Sequence, residues 1–441
     1  MHPTSFLGIN LSDGIKRRHL FAYLLAALIS SGYAGALAVL QPGLLAVMNI
    51  PIADQGSLTG LLAALQEVVL IAMMPLFGVM ADRSGRRMVY AIGLGLTSAG
   101  FFLYPHADSI SELVAYRLIV AFGGAAMVGM MVTVIADYAC EADRGKANGL
   151  QGFVATIGAF IPPILGFMPA VFAKQGMSEL AAQQVTFAIG GAMGVAGTLI
   201  VLIGLAPHVK RSTTEHEPIS QMLRNGLAAA KDHGVALSYG AAFISRGDLA
   251  VTGAFMGLWL VQFGTQNLGM APSQAMQELA VPRVLTTVSG AMVGAILMGF
   301  ISDRIRRGTA VMLASGLAAA VYLSVSFVDD PTAPWVFALL GVMGVAEISA
   351  FVSSQALVGQ QAPAARRGAV IGFFGTAGAV GILVGTAGGG WLFGAISPAA
   401  PFVLFGALNA VVFVWAILVN NKISKPSVPP AEDSSCVAAT S

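Results

Sequence analysis

Long apolar runs separated by short polar connections recur along this chain from one end to the other. A helix needs about 20 mostly apolar residues to cross a hydrocarbon core. At that length the pattern predicts spans near 19–41, 57–80, 88–105, 111–138, 148–172, 183–206, 236–263, 281–301, 309–328, 333–358, 367–392 and 398–420. Twelve spans are expected. The longest interior connection, 207–235, carries apolar residues at helical spacing after Pro218, namely Ile219, Met222, Leu223 and Leu227. It predicts an amphipathic helix on the membrane surface between two sets of six spans.

The polar connections test that count, because Lys and Arg gather on the cytoplasmic side. All but four of the 23 Lys and Arg residues fall in the tails or in even-numbered connections. The exceptions are Lys174 and Arg283 on the opposite side and Arg117 and Arg246 within spans. Both termini are therefore expected in the cytoplasm. The organisation that follows is a cytoplasmic tail (1–18), a first six-helix bundle (19–206), a cytoplasmic linker (207–235), a second six-helix bundle (236–420) and a disordered cytoplasmic tail (421–441).

Composition narrows the function classes. Of the 441 residues 56% are hydrophobic and 10% charged, against roughly 25% charged in a soluble domain, so no separate soluble domain is expected. Two distant cysteines, with six histidines confined to tails, loops and span ends, offer no disulfide framework and no metal or haem centre, and no cofactor is expected. A net charge of +2 with dispersed arginines argues against nucleic acid. The chain lacks the GxxxxGK[ST] phosphate loop, so ATP is not its energy source, and no nucleophile, base and metal stand at a spacing that suggests an enzyme. Lys16-Arg17-Arg18 precedes the first run as in a signal peptide, but the many spans that follow read it as an uncleaved first helix. Short tails and compact loops suit a bacterial inner membrane.

Two markers repeat. Asp82 and Asp303 stand 221 residues apart, each four positions after a glycine, Gly78 or Gly299, at the end of the second span of its half; Arg144-Gly145 and Arg367-Gly368 recur at 223, after the fourth. One offset shared by two markers implies an internal duplication, and six spans per copy give both halves the same orientation, a parallel repeat about an axis along the membrane normal. Gly78, Asp82, Arg83, Gly85, Arg86 and Arg87, with a reduced copy at Gly299, Asp303, Arg304 and Arg307, resemble the loop signature after the second helix of the major facilitator superfamily of secondary transporters. Arg117, Gly123 and Gly124, followed by Asp137, Arg144, Gly145, Lys146, Ala147 and Gly149, resemble the stretch from that family's fourth helix into its fifth. The resemblance implies an all-α membrane protein of twelve transmembrane helices in two pseudo-symmetric six-helix bundles, working by alternating access, with a cavity between the halves and an inner gate at the Asp82 cluster. Its glycines are expected to allow close helix approach, its arginines to pair with carboxylates. Simple loop anchoring is the plainer reading of the same arginines.

A charge at the bilayer centre costs about 2.5–3.5 kcal/mol on insertion scales, so Glu67, Arg117, Arg246, Asp248 and Glu347 each need a reason. Arg117 resembles the fourth-helix arginine of the family's antiporters, although Val120 stands where glutamine is usual; tying helices together is its alternative. Glu67 is the first candidate proton carrier, since binding a proton removes the desolvation cost of its charge, or it forms a permanent ion pair with Arg117. Glu347 lies among Ser349, Ser353, Ser354 and Gln355 as a proton site, a substrate contact or a structural hydrogen-bonding group. Arg246 and Asp248, about 200° apart around one helix, cannot easily face each other. Residues 158–166, with Pro162-Pro163, partly resemble the family's Gly-Pro antiporter motif or mark an ordinary kink. Candidate cavity residues are Tyr33, Gln41, Gln66, Met127, Arg246, Gln262, Ser353 and Phe374. The function expected is proton-coupled export of a small organic solute by a monomer, with Glu67 and Arg117 as the coupling pair, supported by Glu347 and Asp248. Import of a metabolite such as an organic anion, and a receptor or assembly protein that does not transport, are the alternatives.

Overall fold

The computed structural model describes residues 5–6, 8–48, 50–207, 219–363 and 366–423; the tail expected to be disordered lies outside them from residue 424 onward. Helices α1 (Arg17–Val47), α2 (Ile52–Ser84), α3 (Arg86–Leu103) and α4 (Ile110–Tyr138) stand at the first four predicted spans. The fifth is divided into α5 (Arg144–Gly158) and α6 (Ile161–Lys174). The break falls just ahead of Pro162 and Pro163, which have no amide hydrogen to continue the helical ladder. Helix α7 (Glu179–Gly204) completes the first half.

The second half opens with the short helix α8 (Ile219–Ala229). A continuous helical run then joins α9 (His233–Val251), a π-helical turn (Thr252–Met256) and α10 (Gly257–Asn267) at the seventh predicted span. After α11 (Pro272–Ala275) and a second π turn come α12 (Val281–Arg304), α13 (Arg307–Ser324), α14 (Pro334–Gln361), α15 (Arg367–Ala395) and α16 (Ala400–Val419). Among the described residues, eleven helices are long and apolar enough to cross a membrane. The run around α9 and α10 is not among the eleven, and it is the one that carries Arg246 and Asp248. Ser109, Ser178 and Asp232 cap α4, α7 and α9 by accepting bonds from first-turn amides.

Packing groups the chain into two units, one of Met1–Leu40 with Val68–Thr213, the other of Gln41–Glu67 with Thr214–Ser427. In the first, α3 and α4 meet through glycine: a methyl group at Gly93 would stand 2.8 Å from the Met127 amide nitrogen. In the second, a methyl group at Gly381 of α15 would be driven into the Phe243 carbonyl of α9, and one at Gly344 of α14 into the Thr287 carbonyl of α12. Small residues let helix backbones touch where apolar burial gives no preference over lipid. Helix α8 packs through Gly226 against Ala369 and Phe373 of α15, and the Tyr239 hydroxyl donates to the Gly226 carbonyl at 3.0 Å. It is held by a protein neighbour as well as presenting an exposed Leu227.

The described residues of the amino-terminal tail carry regular structure. Strands β1 (Ser5–Phe6) and β2 (Ile9–Asn10) form a hairpin, and the chain then lies along the α4–α5 connection. The Ser12 amide donates to the Tyr138 carbonyl at 2.9 Å and the Cys140 amide to the Asn10 carbonyl at 3.0 Å. Asp143 is the hub: one carboxylate oxygen accepts from both the amide and the side chain of Asn10 at 2.9 Å, and the other accepts from Lys146 at 2.7 Å. Lys146 first, then Asn10, hold this carboxyl below the usual aspartate range. A carboxyl held low contributes its stabilisation above the ordinary range and loses it as pH falls through the lowered value. Asp143→Ala is expected to speed amide exchange of residues 9–12 at neutral pH by about tenfold, the scale of one charge-assisted hydrogen bond. Hydrogen-exchange mass spectrometry showing no change would mean that the backbone bonds hold the strap without Asp143.

Candidate functional site

The buried acids of the second unit are gathered where α9 breaks its regular winding. Thr252, the first residue of the π turn, donates from Oγ1 to Glu347 Oε1 at 2.5 Å, and the Tyr322 hydroxyl reaches the same oxygen at 2.5 Å. The two hydroxyl oxygens are themselves 2.7 Å apart, so three oxygens from α13, α14 and the π turn lie in mutual hydrogen-bond contact. Single-turn π segments often mark functional positions. Asp248, one turn earlier, is fully buried and accepts from Asn409 Nδ2 of α16 at 3.0 and 2.9 Å. Glu347 and Asp248 lie within electrostatic range of each other.

Arg246 points elsewhere, as a 200° separation requires. Its guanidinium lies 5.3 Å over the Phe351 ring, its stem rests against Gly378, where a Cβ would stand 2.5 Å from Arg246 Cδ, and its charged neighbour is Glu67 of α2. Glu67 and Arg246 thus lie within electrostatic range of each other in the second unit, with no ion pair between them and with Arg246 Nε buried without a hydrogen-bond partner among the described residues. Arg117 of α4 is buried and hydrogen-bonded to Tyr104, the residue that follows α3. Tyr104 in turn stacks on Phe187 of α7 at 5.8 Å. Glu67 and Arg117, paired in one reading of the sequence, therefore each have another polar neighbour.

The remaining cavity candidates divide. Gln262 Nε2 donates to Gln55 Oε1 at 3.0 Å and Gln41 Nε2 to Thr59 Oγ1 at 3.2 Å, while Gln66 is half-buried. These contacts flank a close approach of α2 to α15: a Cβ at Gly60 would lie 2.5 Å from the Thr386 carbonyl and 2.7 Å from Gly390 Cα. Tyr33, Met127, Ser353 and Phe374 are buried packing residues. The Tyr33 hydroxyl donates to the Gly190 carbonyl, Ser353 to Ala350, and Phe374 belongs to a core with Val235 and Tyr239.

In the loop signature, Arg86 bridges Asp137 of α4 at 2.7 Å and Asp82 of α2 at 3.5 Å, all within the first unit. Gly85 forms the one-residue turn between α2 and α3 with φ 91°, a left-handed conformation that costs an L side chain strain. Gly78 and Gly299, expected to permit close helix approach, face open space instead; nothing lies within 4 Å of a Cβ at either. Arg83 is exposed, Arg87 half-buried, and Arg144 makes an exposed pair with Glu141 at 3.5 Å. In the second copy Asp303 pairs with Arg307 at 3.0 Å, and Arg304 folds back over the Phe300 ring to donate to its carbonyl.

Thr252, Tyr322, Asn409 and Tyr104 were not among the expected site residues. A hydroxyl in an apolar span leaves no sequence signal. Asn409 does, since an amide in the middle of the last span carries the same desolvation cost that singled out the charges. The pairings themselves join α9 to α16 and α13 to α14, and no local pattern encodes them.

The Major Facilitator Superfamily model matches residues 19–291 and 238–438. The magnetosome protein MamH of Paramagnetospirillum magneticum is 24% identical over 422 residues, covering 91% of this chain and 92% of MamH. The magnetosome protein MamZ of Magnetospirillum gryphiswaldense is 26% identical over 396 residues, 86% of this chain but only 58% of MamZ. Among solved structures, a variant of the nucleoside transporter NupG superposes with a TM-score of 0.71 at 16% identity, covering 90% of this chain and 99% of that one.

Proposed function

This chain belongs to the major facilitator superfamily, and from that premise we propose that it moves a small organic solute across the membrane in exchange for protons, as an exporter. The observation that carries proton coupling is the set of three oxygens at Glu347. Thr252 and Tyr322 bring one hydroxyl hydrogen each, two hydrogens for three close contacts. A proton on Glu347 supplies the third and closes a ring of hydrogen bonds; its loss leaves a buried carboxylate held by two hydroxyl donors. Each protonation state thus has its own hydrogen-bond pattern across α13, α14 and the π turn, which gives protonation a means of favouring one helix arrangement over another.

Glu67 and Arg246 serve in this reading as the second coupling element, a carboxyl and a guanidinium within electrostatic range whose mutual attraction a proton on Glu67 removes. The glycine contact of α2 with α15 acts as an outer gate, and the Asp82–Arg86–Asp137 cluster as the inner one. Breaking of α5 from α6 at the proline pair supports a helix that rocks during export. Both termini are cytoplasmic and the chain acts as a monomer in a bacterial inner membrane; its likeness to two magnetosome proteins supports a role in that structure of the cell.

Liposomes carrying an imposed pH gradient and an internal pH dye test the proposal. Wild type is expected to show proton flux on addition of an amphipathic organic cation, and Glu67→Gln to show a flux lower by about tenfold or more. Solute and proton moving in opposite directions identifies export; moving together, it identifies organic-anion symport. The absence of flux with any cation or anion, or equal flux in the variant, would overturn proton coupling through Glu67.

A further inference from the structure

The two copies of the loop signature end in cavities of unequal size. In the first, 120 Å³ remains beside Asp82, Arg86 and Asp137, because Arg86 is engaged by both carboxylates. In the second, Arg307 stands at the position of Arg86 and Asp303 at that of Asp82, by the same 221-residue offset. The residue equivalent to Asp137, 223 positions on, is Gln360. The cavity there measures 430 Å³ and is lined by Ser302, Asp303, Arg306, Arg307, Gln360 and Ile423 among others. One carboxylate has gone from the repeat. The number of guanidinium groups is unchanged, since Arg306 stands where Gly85 stands in the first copy and Gly308 where Arg87 stands; with φ −61° Arg306 makes the turn without the left-handed residue.

Arg306 donates from Nη2 to the Asn420 carbonyl at 2.9 Å, so its charge is held by backbone oxygens rather than by an acid. Arg307 has Asp303 as its acid, 73% exposed at the side chain. Ser302 is 2% exposed, lines the cavity, and its hydroxyl has no hydrogen-bond partner among the described residues. The 18-residue helix α13 begins at Arg307 and directs its first amides toward the same end, where an anion is favoured.

We propose that this cavity is an anion site that takes a phosphate group, which replaces the carboxylate that Asp137 supplies in the first repeat. Arg306 and Arg307 provide charge, the α13 amino terminus backbone donors, and Ser302 an otherwise unused hydroxyl. Phosphate suits the space, which exceeds what one carboxylate fills, and the rigid guanidinium fork. Its source is either a free phosphate or the headgroup of an anionic lipid, since Phe300 and Ile301, 60% and 38% exposed, lie directly before Ser302 on α12.

The test uses the purified full chain in detergent. Native mass spectrometry compares phosphatidylglycerol with a diacylglycerol of the same acyl chains, and thermal unfolding compares inorganic phosphate with chloride at equal ionic strength. Preference for phosphatidylglycerol identifies a lipid headgroup; stabilisation by phosphate identifies a site open to the free anion. Gln360→Asp restores the missing carboxylate and is expected to weaken whichever binding is seen by about tenfold, as is Arg306→Gln, in line with loss of one charge-assisted contact. Binding unchanged in both charge variants, or no preference in either comparison, would overturn the proposal.

Discussion

Gly381→Val is expected to prevent the protein from accumulating as a folded, monodisperse species in detergent. Helix α15 crosses α9 at this glycine, and any Cβ there is driven into the carbonyl oxygen of Phe243. The same crossing uses Gly385, whose Cβ would lie 3.1 Å from the Gly247 carbonyl, and Gly378, which accommodates Arg246. Overpacking against flexible side chains costs about 1–3 kcal/mol. Here the obstacle is backbone on a second helix, so relief requires the two helices to part, and the cost is expected at or above the top of that range. Gly388→Val on the same helix is the control, because nothing lies within 4 Å of its Cβ. It introduces the same β-branched residue with the same helix propensity. Size-exclusion profiles and melting curves should show Gly388→Val near wild type and Gly381→Val lost. Equal behaviour of the two would mean that α9 and α15 do not cross backbone to backbone.

Glu347→Gln is expected to abolish coupled proton movement while the protein remains folded. Glutamine keeps an oxygen to accept from the Thr252 and Tyr322 hydroxyls, and so preserves the packing, but it cannot take up or release a proton. Proton flux driven by solute should fall on the order of 100-fold, the lower end of what a positioned proton-transfer group contributes. Solute exchange without a pH gradient should persist, which separates loss of coupling from loss of transport. Tyr322→Phe and Thr252→Val each remove one oxygen from the ring and should give intermediate flux. Full coupling in Glu347→Gln would move the proton site to Asp248 or Glu67 and remove the role given to the π turn.

Residues 158–166 and 299–308 show how far local pattern reaches. Pro162 and Pro163 declared a weak point in the fifth span, and the helix does break there, between Gly158 and Ile161. The Asp82 and Asp303 copies were recognisable as a repeat, yet one difference between them lies at Gln360, which matters only because its helix brings it to the second copy. Gly78 and Gly299 are a different lesson: the motif suggested close packing, and both face open space. Tyr33 and Phe374, chosen for the cavity as aromatic residues on inner helices, are engaged in packing.

The sequence by itself determined where the helices lie, because hydration of a backbone and of a charge is local: about 20 apolar residues and a cluster of arginines carry their meaning wherever they sit. It also determined the duplication and the set of charges that need a partner. Which partner each charge has was decided by tertiary structure alone. Asp248 meets Asn409, 161 positions later, and Arg246 lies near Glu67 rather than beside its neighbour in the chain. Such pairs depend on which helices approach closely, and that is set by glycines whose effect appears only when another backbone lies against them.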